Sequence, residues 1–85
     1  MTIKEFFESE DKLAIHCNTK EKTENLCKMF AKAGYEWRSG VSYDYKDFFD
    51  IYGNETALSN SHGYASVLFY AKDGYKILQF EEIED

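Results

Sequence analysis

The chain has 85 residues, 44% of them hydrophobic and 18% aromatic, with no proline and a net charge of −6. That composition describes one globular domain with a small, aromatic-rich core and excludes a disordered segment. Sixteen acidic against ten basic side chains argue against direct nucleic-acid binding, which needs a basic patch for phosphates, and no apolar run approaches membrane-spanning length.

Residues 1–10 place Ile3, Phe6 and Phe7 at helical spacing, with Thr2 as N-cap. This charged opening lacks the apolar region of a signal peptide, so a cytoplasmic setting with buried, reduced thiols is expected. Residues 12–17 alternate Leu13, Ile15 and Cys17 with Ala14 and His16, the pattern of a central strand. Asn18 and Glu21 then form a capping box. Leu26, Met29, Phe30 and Ala33 make one apolar stripe, Lys28 and Lys32 suit the helix C-terminal end, and Gly34 stops it. Cys17 belongs to the core, while Cys27 flanks the stripe and should tolerate change better.

Residues 35–38 read as a short strand that Ser39-Gly40 breaks. Residues 45–52 read as a short helix with Phe48, Phe49 and Tyr52 on one side, and the polar, Asn/Ser-rich residues 53–63 as a loop. The segments 64–71 and 75–83 form a hairpin through a type I′ turn at Asp73-Gly74. This register puts Val67, Phe69, Leu78 and Phe80 on one face against the helix. Tyr64, Leu68, Tyr70, Ile77 and Ile83 lie on the other, to be covered by the N-terminal helix, by the aromatic stretch or by a second chain in a homodimer. The fold class is therefore α+β: a small antiparallel-rich sheet with a β-α-β start, one parallel strand pair with a right-handed crossover, and one main helix on one face.

The chemistry-bearing residues are few. His16, Cys17 and Cys27 lack the four-ligand spacing of a zinc site, and neighbours on a strand point to opposite faces, so no metal and no Cys/His nucleophile pair is expected. His62 sits among small polar residues as a solvated loop histidine. The five glycines form no phosphate-cradling motif, and no cofactor is implied.

The densest signal is residues 35–52, where Tyr35, Trp37, Tyr43, Tyr45, Phe48, Phe49 and Tyr52 surround Asp44, Asp47 and Asp50. Tyr and Trp combine an apolar body with a polar tip, which suits protein interfaces, and the carboxylates favour a basic partner. The candidate partner-binding residues are Trp37, Tyr43, Asp44, Tyr45, Asp47, Asp50 and Tyr52, and the acidic end 81–85 could extend the same negative face. Closing the core is the simpler role for Trp37.

The run Ile15-His16-Cys17-Asn18-Thr19-Lys20-Glu21, then Leu26, then Gly34-Tyr35-Glu36-Trp37-Arg38-Ser39-Gly40, and the closing Gly74-Tyr75-Lys76-Ile77-Leu78-Gln79-Phe80 resemble small uncharacterised proteins of phages and mobile elements in low-GC Gram-positive bacteria. The resemblance carries no catalytic residues. It implies a class that includes many inhibitors of host defence, anti-CRISPR proteins among them. A non-enzymatic protein that binds and inhibits a host defence protein, itself a nucleic-acid binder, is the expectation. The alternatives are a nucleotide sponge, in which aromatics stack a base and Arg38, Lys46 and Lys72 are the available cations, and a small enzyme using His16, Cys17 or His62.

Overall fold

The computed structural model describes residues 1–43 and 48–84. Helix α1 spans Ile3–Glu8. Its N-terminus carries the Thr2 cap in a reciprocal form: Glu5 N–H donates to Thr2 Oγ1 and Thr2 N–H donates to Glu5 Oε1, so two orphan donors are satisfied at once. Strand β1 is Leu13–His16 and helix α2 is Lys20–Lys32. The cap of α2 is Thr19 and not Asn18: Lys22 N–H donates to Thr19 Oγ1 at 3.2 Å. Asn18 instead accepts from Lys22 Nζ. Shifting the cap by one residue puts Lys22 at the third helical position, so the expected Asn18–Glu21 box is absent.

Helix α3 is the single turn Phe49–Tyr52. It overlaps the end of the expected 45–52 helix, whose first residues lie outside the described ones. Strand β2 follows at Thr56–Ser59 and β3 at Tyr64–Ser66, with helix α4 at Val67–Lys72 and strand β4 at Lys76–Gln79. The sheet order is β3-β2-β1-β4. Strand β1 pairs antiparallel with β2 and parallel with β4, and β2 pairs antiparallel with β3. The fold is α+β, and the parallel partner of β1 is β4. Among the described residues, 35–38 contribute only the isolated bridge Glu36–Ser42.

Two further expectations are corrected. The loop assigned to 53–63 contains β2, all four of whose residues are buried. Its polar members are satisfied internally: Thr56 Oγ1 donates to the Gly53 carbonyl, and Ser59 joins a hydroxyl chain described below. The C-terminal hairpin does not form. Ser66 caps α4 by accepting from Leu68 N–H, and Asp73 has φ −87°, whereas a type I′ turn needs positive φ at both central residues. Gly74, at φ +82°, supplies the left-handed residue that ends α4. Tyr75 N–H reaches the Tyr70 carbonyl and Gly74 N–H the Ala71 carbonyl, the two bonds of a Schellman motif. Gly34 ends α2 in the same way, through Tyr35 N–H to Phe30 and Gly34 N–H to Ala31. Phe69 is accordingly 59% exposed and not in the core.

The sheet has an apolar layer on each face. Leu13, Ile15, Cys17, Leu58 and Leu78 meet α1 and α2 through Ile3, Phe6, Leu26, Cys27 and Phe30, with Tyr43 and Phe48 in the same cluster. Both thiols are fully buried, so Cys27 is as much a core residue as Cys17. The other face is covered within the chain: Tyr70 of α4 packs on Ala14 and Ala57, flanked by Val67, Tyr75 and Ile77. Two alanines at the sheet centre leave room for a helix to lie close. The radius of gyration, 11.4 Å, is near the ~12 Å of one compact domain of this length.

Candidate functional site

The site is built on the turn between β2 and β3. Ser59 N–H donates to the Gly63 carbonyl and His62 N–H to Ser59, which forces His62 to φ +66°, a conformation uncommon outside glycine. The turn fastens the segment 36–42. Arg38 N–H donates to the His62 carbonyl, the Arg38 guanidinium to the Ser61 carbonyl, and His62 Nδ1–H to the Glu36 carbonyl at 2.9 Å. The His62 ring also stacks on Phe7, with centroids 4.9 Å apart. It is a half-buried structural residue, where a solvated loop histidine was expected.

Between this segment, β3 and α4 lies an open groove of about 700 Å³, within the usual range for small-molecule sites. Its aromatic wall is Trp37, Phe48 and Tyr64. Tyr64 stacks on Phe48 at 4.3 Å and meets Trp37 edge-on at 5.6 Å. Val41, Tyr64 and Phe69 border it with 47%, 39% and 59% of their surfaces exposed. Its polar side is a chain of hydroxyls. Tyr70 OH donates to Ser59 Oγ at 3.1 Å, Ser59 and Ser61 share a 2.7 Å bond, and Ser61 meets Tyr75 OH at 3.0 Å. Burial raises the Tyr70 phenol above its ordinary pKa, so it stays a donor.

The sequence-predicted residues divide. Trp37 is half-buried in the groove wall. Tyr43 is 1% exposed, a core residue unavailable to a partner. Its ring packs on Phe30 and Trp37, its hydroxyl has no hydrogen-bond partner among the described residues, and burial raises its pKa. Asp50 is exposed on α3, and Tyr52 is half-buried against Tyr64 at 6.2 Å. Asp44, Tyr45 and Asp47, with Lys46, lie outside the described residues. The acidic end is partly committed elsewhere: Glu81 pairs with Lys22 at 2.6 Å, and Glu82 accepts from Gln79 N–H. Sequence reasoning missed Ser59, Ser61, Tyr70 and Tyr75. The signal for the two tyrosines was Ser66 preceding a helix-forming run that ends in Asp73-Gly74.

Nucleophilic chemistry is not set up at the thiols. Burial pushes both Cys17 and Cys27 up to about 12, far above the range of a reactive cysteine. His16 Nε2–H is committed to the Asn54 carbonyl at 2.7 Å. Among the described residues, no group of three or more His, Cys, Asp or Glu could hold a metal ion, and no helix is long and apolar enough to cross a membrane. No family model, curated protein or solved structure matches the chain.

Proposed function

We propose that this is a non-enzymatic binding protein that docks a protein partner through α3 and the adjoining rim of the aromatic wall. The observation that carries this reading is Ile51, 65% exposed on a one-turn helix between exposed Asp50 and half-buried Tyr52, whose ring meets Tyr64. A large apolar side chain held in water beside an aromatic ring suits an interface centre, and the adjoining carboxylate suits its polar rim. The net charge of −6 favours a basic partner through steering. The resemblance to small phage proteins supports the narrower form: a phage-encoded inhibitor of a host defence protein that handles nucleic acid, acting in the host cytoplasm. Affinity capture from host lysate with the wild type and with Ile51→Asp tests the reading. A partner retained by the wild type and lost by the folded variant is the expected result; identical capture by both overturns the assignment of α3.

A further inference from the structure

We propose that the groove between α4 and the 36–42 segment binds a small planar aromatic ligand bearing one anionic group. The first observation is its size and wall. A groove of about 700 Å³ holds a drug-sized molecule, and Trp37, Tyr64 and Phe69 offer ring surface to it. Flat ligands gain most from such walls, because every aromatic base or ring has a face to stack.

The second observation is the donor set. Two arrangements of the four hydroxyl protons bear on the groove. In one, Tyr75 donates to Ser61, Ser61 to Ser59, and Ser59 to the Gly63 carbonyl at 3.4 Å. In the other, Ser59 donates to Ser61 and Ser61 to Tyr75, and the Tyr75 proton is released for an acceptor in the groove. The exchange gives up only the long 3.4 Å bond, and the Gly63 carbonyl keeps its 2.9 Å bond from Ser59 N–H. Tyr70 donates to Ser59 in both. The chain is therefore poised to present a phenolic donor at little cost.

The third observation is charge. Among the described groove-lining residues Arg38 is the one guanidinium or ammonium group, and it donates to the Ser61 carbonyl. Asp73, also in the lining, has Lys12 Nζ 3.9 Å from its carboxylate, and the same ammonium lies 5.3 Å from the centre of the Tyr75 ring. Arg38 and Tyr75 both bond Ser61, one at its carbonyl and the other at its hydroxyl, so the proposal has them share one anionic group. The chain's overall negative charge opposes a polyanion such as a triphosphate. The ligand class is thus a nucleoside monophosphate or an aromatic carboxylate, which present the same chemistry from two sources. The inference does not rest on the α3 contact, since it concerns the interior of the groove.

The test is an amide-resonance NMR titration of the intact protein with AMP in one arm and indole-3-acetate in another, with adenosine as the uncharged control. Saturable shifts confined to residues 37–41, 61–65 and 69–75, with a Kd of about 1 mM or tighter for at least one anion, are expected. The arm that saturates identifies the anion's source. Arg38→Met and Tyr75→Phe should each weaken binding about tenfold, the usual effect of losing a hydrogen bond to a charged group. Arg38 is exposed, so its variant keeps the measurement interpretable if Tyr75→Phe fails to fold. Absence of saturation in both anion arms, equal binding of adenosine and AMP, or unchanged binding by folded Arg38→Met overturns the proposal.

Discussion

Leu13 and Asn60 extend the β1–β2 ladder by one rung in which a side chain replaces a backbone carbonyl. Asn60 N–H donates to the Leu13 carbonyl at 2.9 Å, and Leu13 N–H donates to Asn60 Oδ1 at 3.1 Å. The amide nitrogen of the same side chain then donates to the carbonyls of Phe6, in α1, and Asp11. One side chain thus ties α1, the loop after it and the two central strands together. Asn60→Asp keeps the shape but turns both donations into oxygen facing oxygen. It should cost about 2–3 kcal/mol. Urea unfolding checks this as a lowered midpoint with an unchanged slope; an unchanged midpoint would show that the tie carries no stability.

The placement of α4 makes a sharp contrast between two phenylalanines. Phe30 is fully buried, in ring contact with Phe6, Phe7 and Tyr43, and Phe30→Ala should cost about 3–5 kcal/mol. Phe69 is 59% exposed, so Phe69→Ala should cost about 1 kcal/mol or less. A hairpin over the same residues would make both losses large. Paired denaturation curves distinguish the two folds of this segment.

The buried thiols set the alkaline limit of stability. Both are protonated in the fold, with pKa values pushed by burial from 9.0 to about 12, whereas the unfolded chain ionises them near the ordinary value. Their contribution is complete below the unfolded value and is lost as pH rises from 9.0 toward 12. Within that window each thiol should remove about 1.4 kcal/mol per pH unit, and the raised phenols of Tyr43 and Tyr70 act in the same direction. Melting temperature should change little from neutral pH to about pH 8 and fall steeply between about pH 9 and about pH 10.5. A Cys17→Ala, Cys27→Ala double variant should show a shallower slope even if its stability at neutral pH is lower. Equal slopes would place the alkaline loss elsewhere.

The sequence was most legible where a local signal coincided with burial. Thr2, Leu13, Ile15, Leu26 and Phe30 announced α1, β1 and α2, because caps and apolar spacing there agree with the packing they produce. Strand β2 was hidden because two of its four buried residues, Thr56 and Ser59, are polar and are compensated only by three-dimensional partners. Helix α4 was misread because Asp-Gly ends helices as well as turning hairpins, and the distinguishing quantity, φ at Asp73, is not a property of the dipeptide. The groove depends on both missed elements. Trp37, Arg38 and His62 were singled out there with functional roles; the hydroxyl chain from Tyr70 to Tyr75 arises from the register of β2 against α4.

The surface of α3 yields the last prediction. Asp50 and Ile51 are exposed and Tyr52 is half-buried, so the first two can be changed without touching the core. Asp50→Lys and Ile51→Asp should leave the circular dichroism spectrum unaltered and shift stability by roughly 0.5 kcal/mol or less. Their effects on a captured partner should differ in kind. Reversing Asp50 weakens steering, so association slows and its salt dependence flattens, because exposed charges are screened over about 8 Å at physiological ionic strength. Placing a charge at Ile51 puts an unpaired carboxylate at a desolvated contact, so dissociation accelerates and affinity falls at least ~30-fold, the scale of a 2 kcal/mol hot spot. Surface plasmon resonance at two salt concentrations separates the two effects. Both variants binding with wild-type kinetics would move the interface off α3, leaving Ile51 as an ordinary exposed apolar residue.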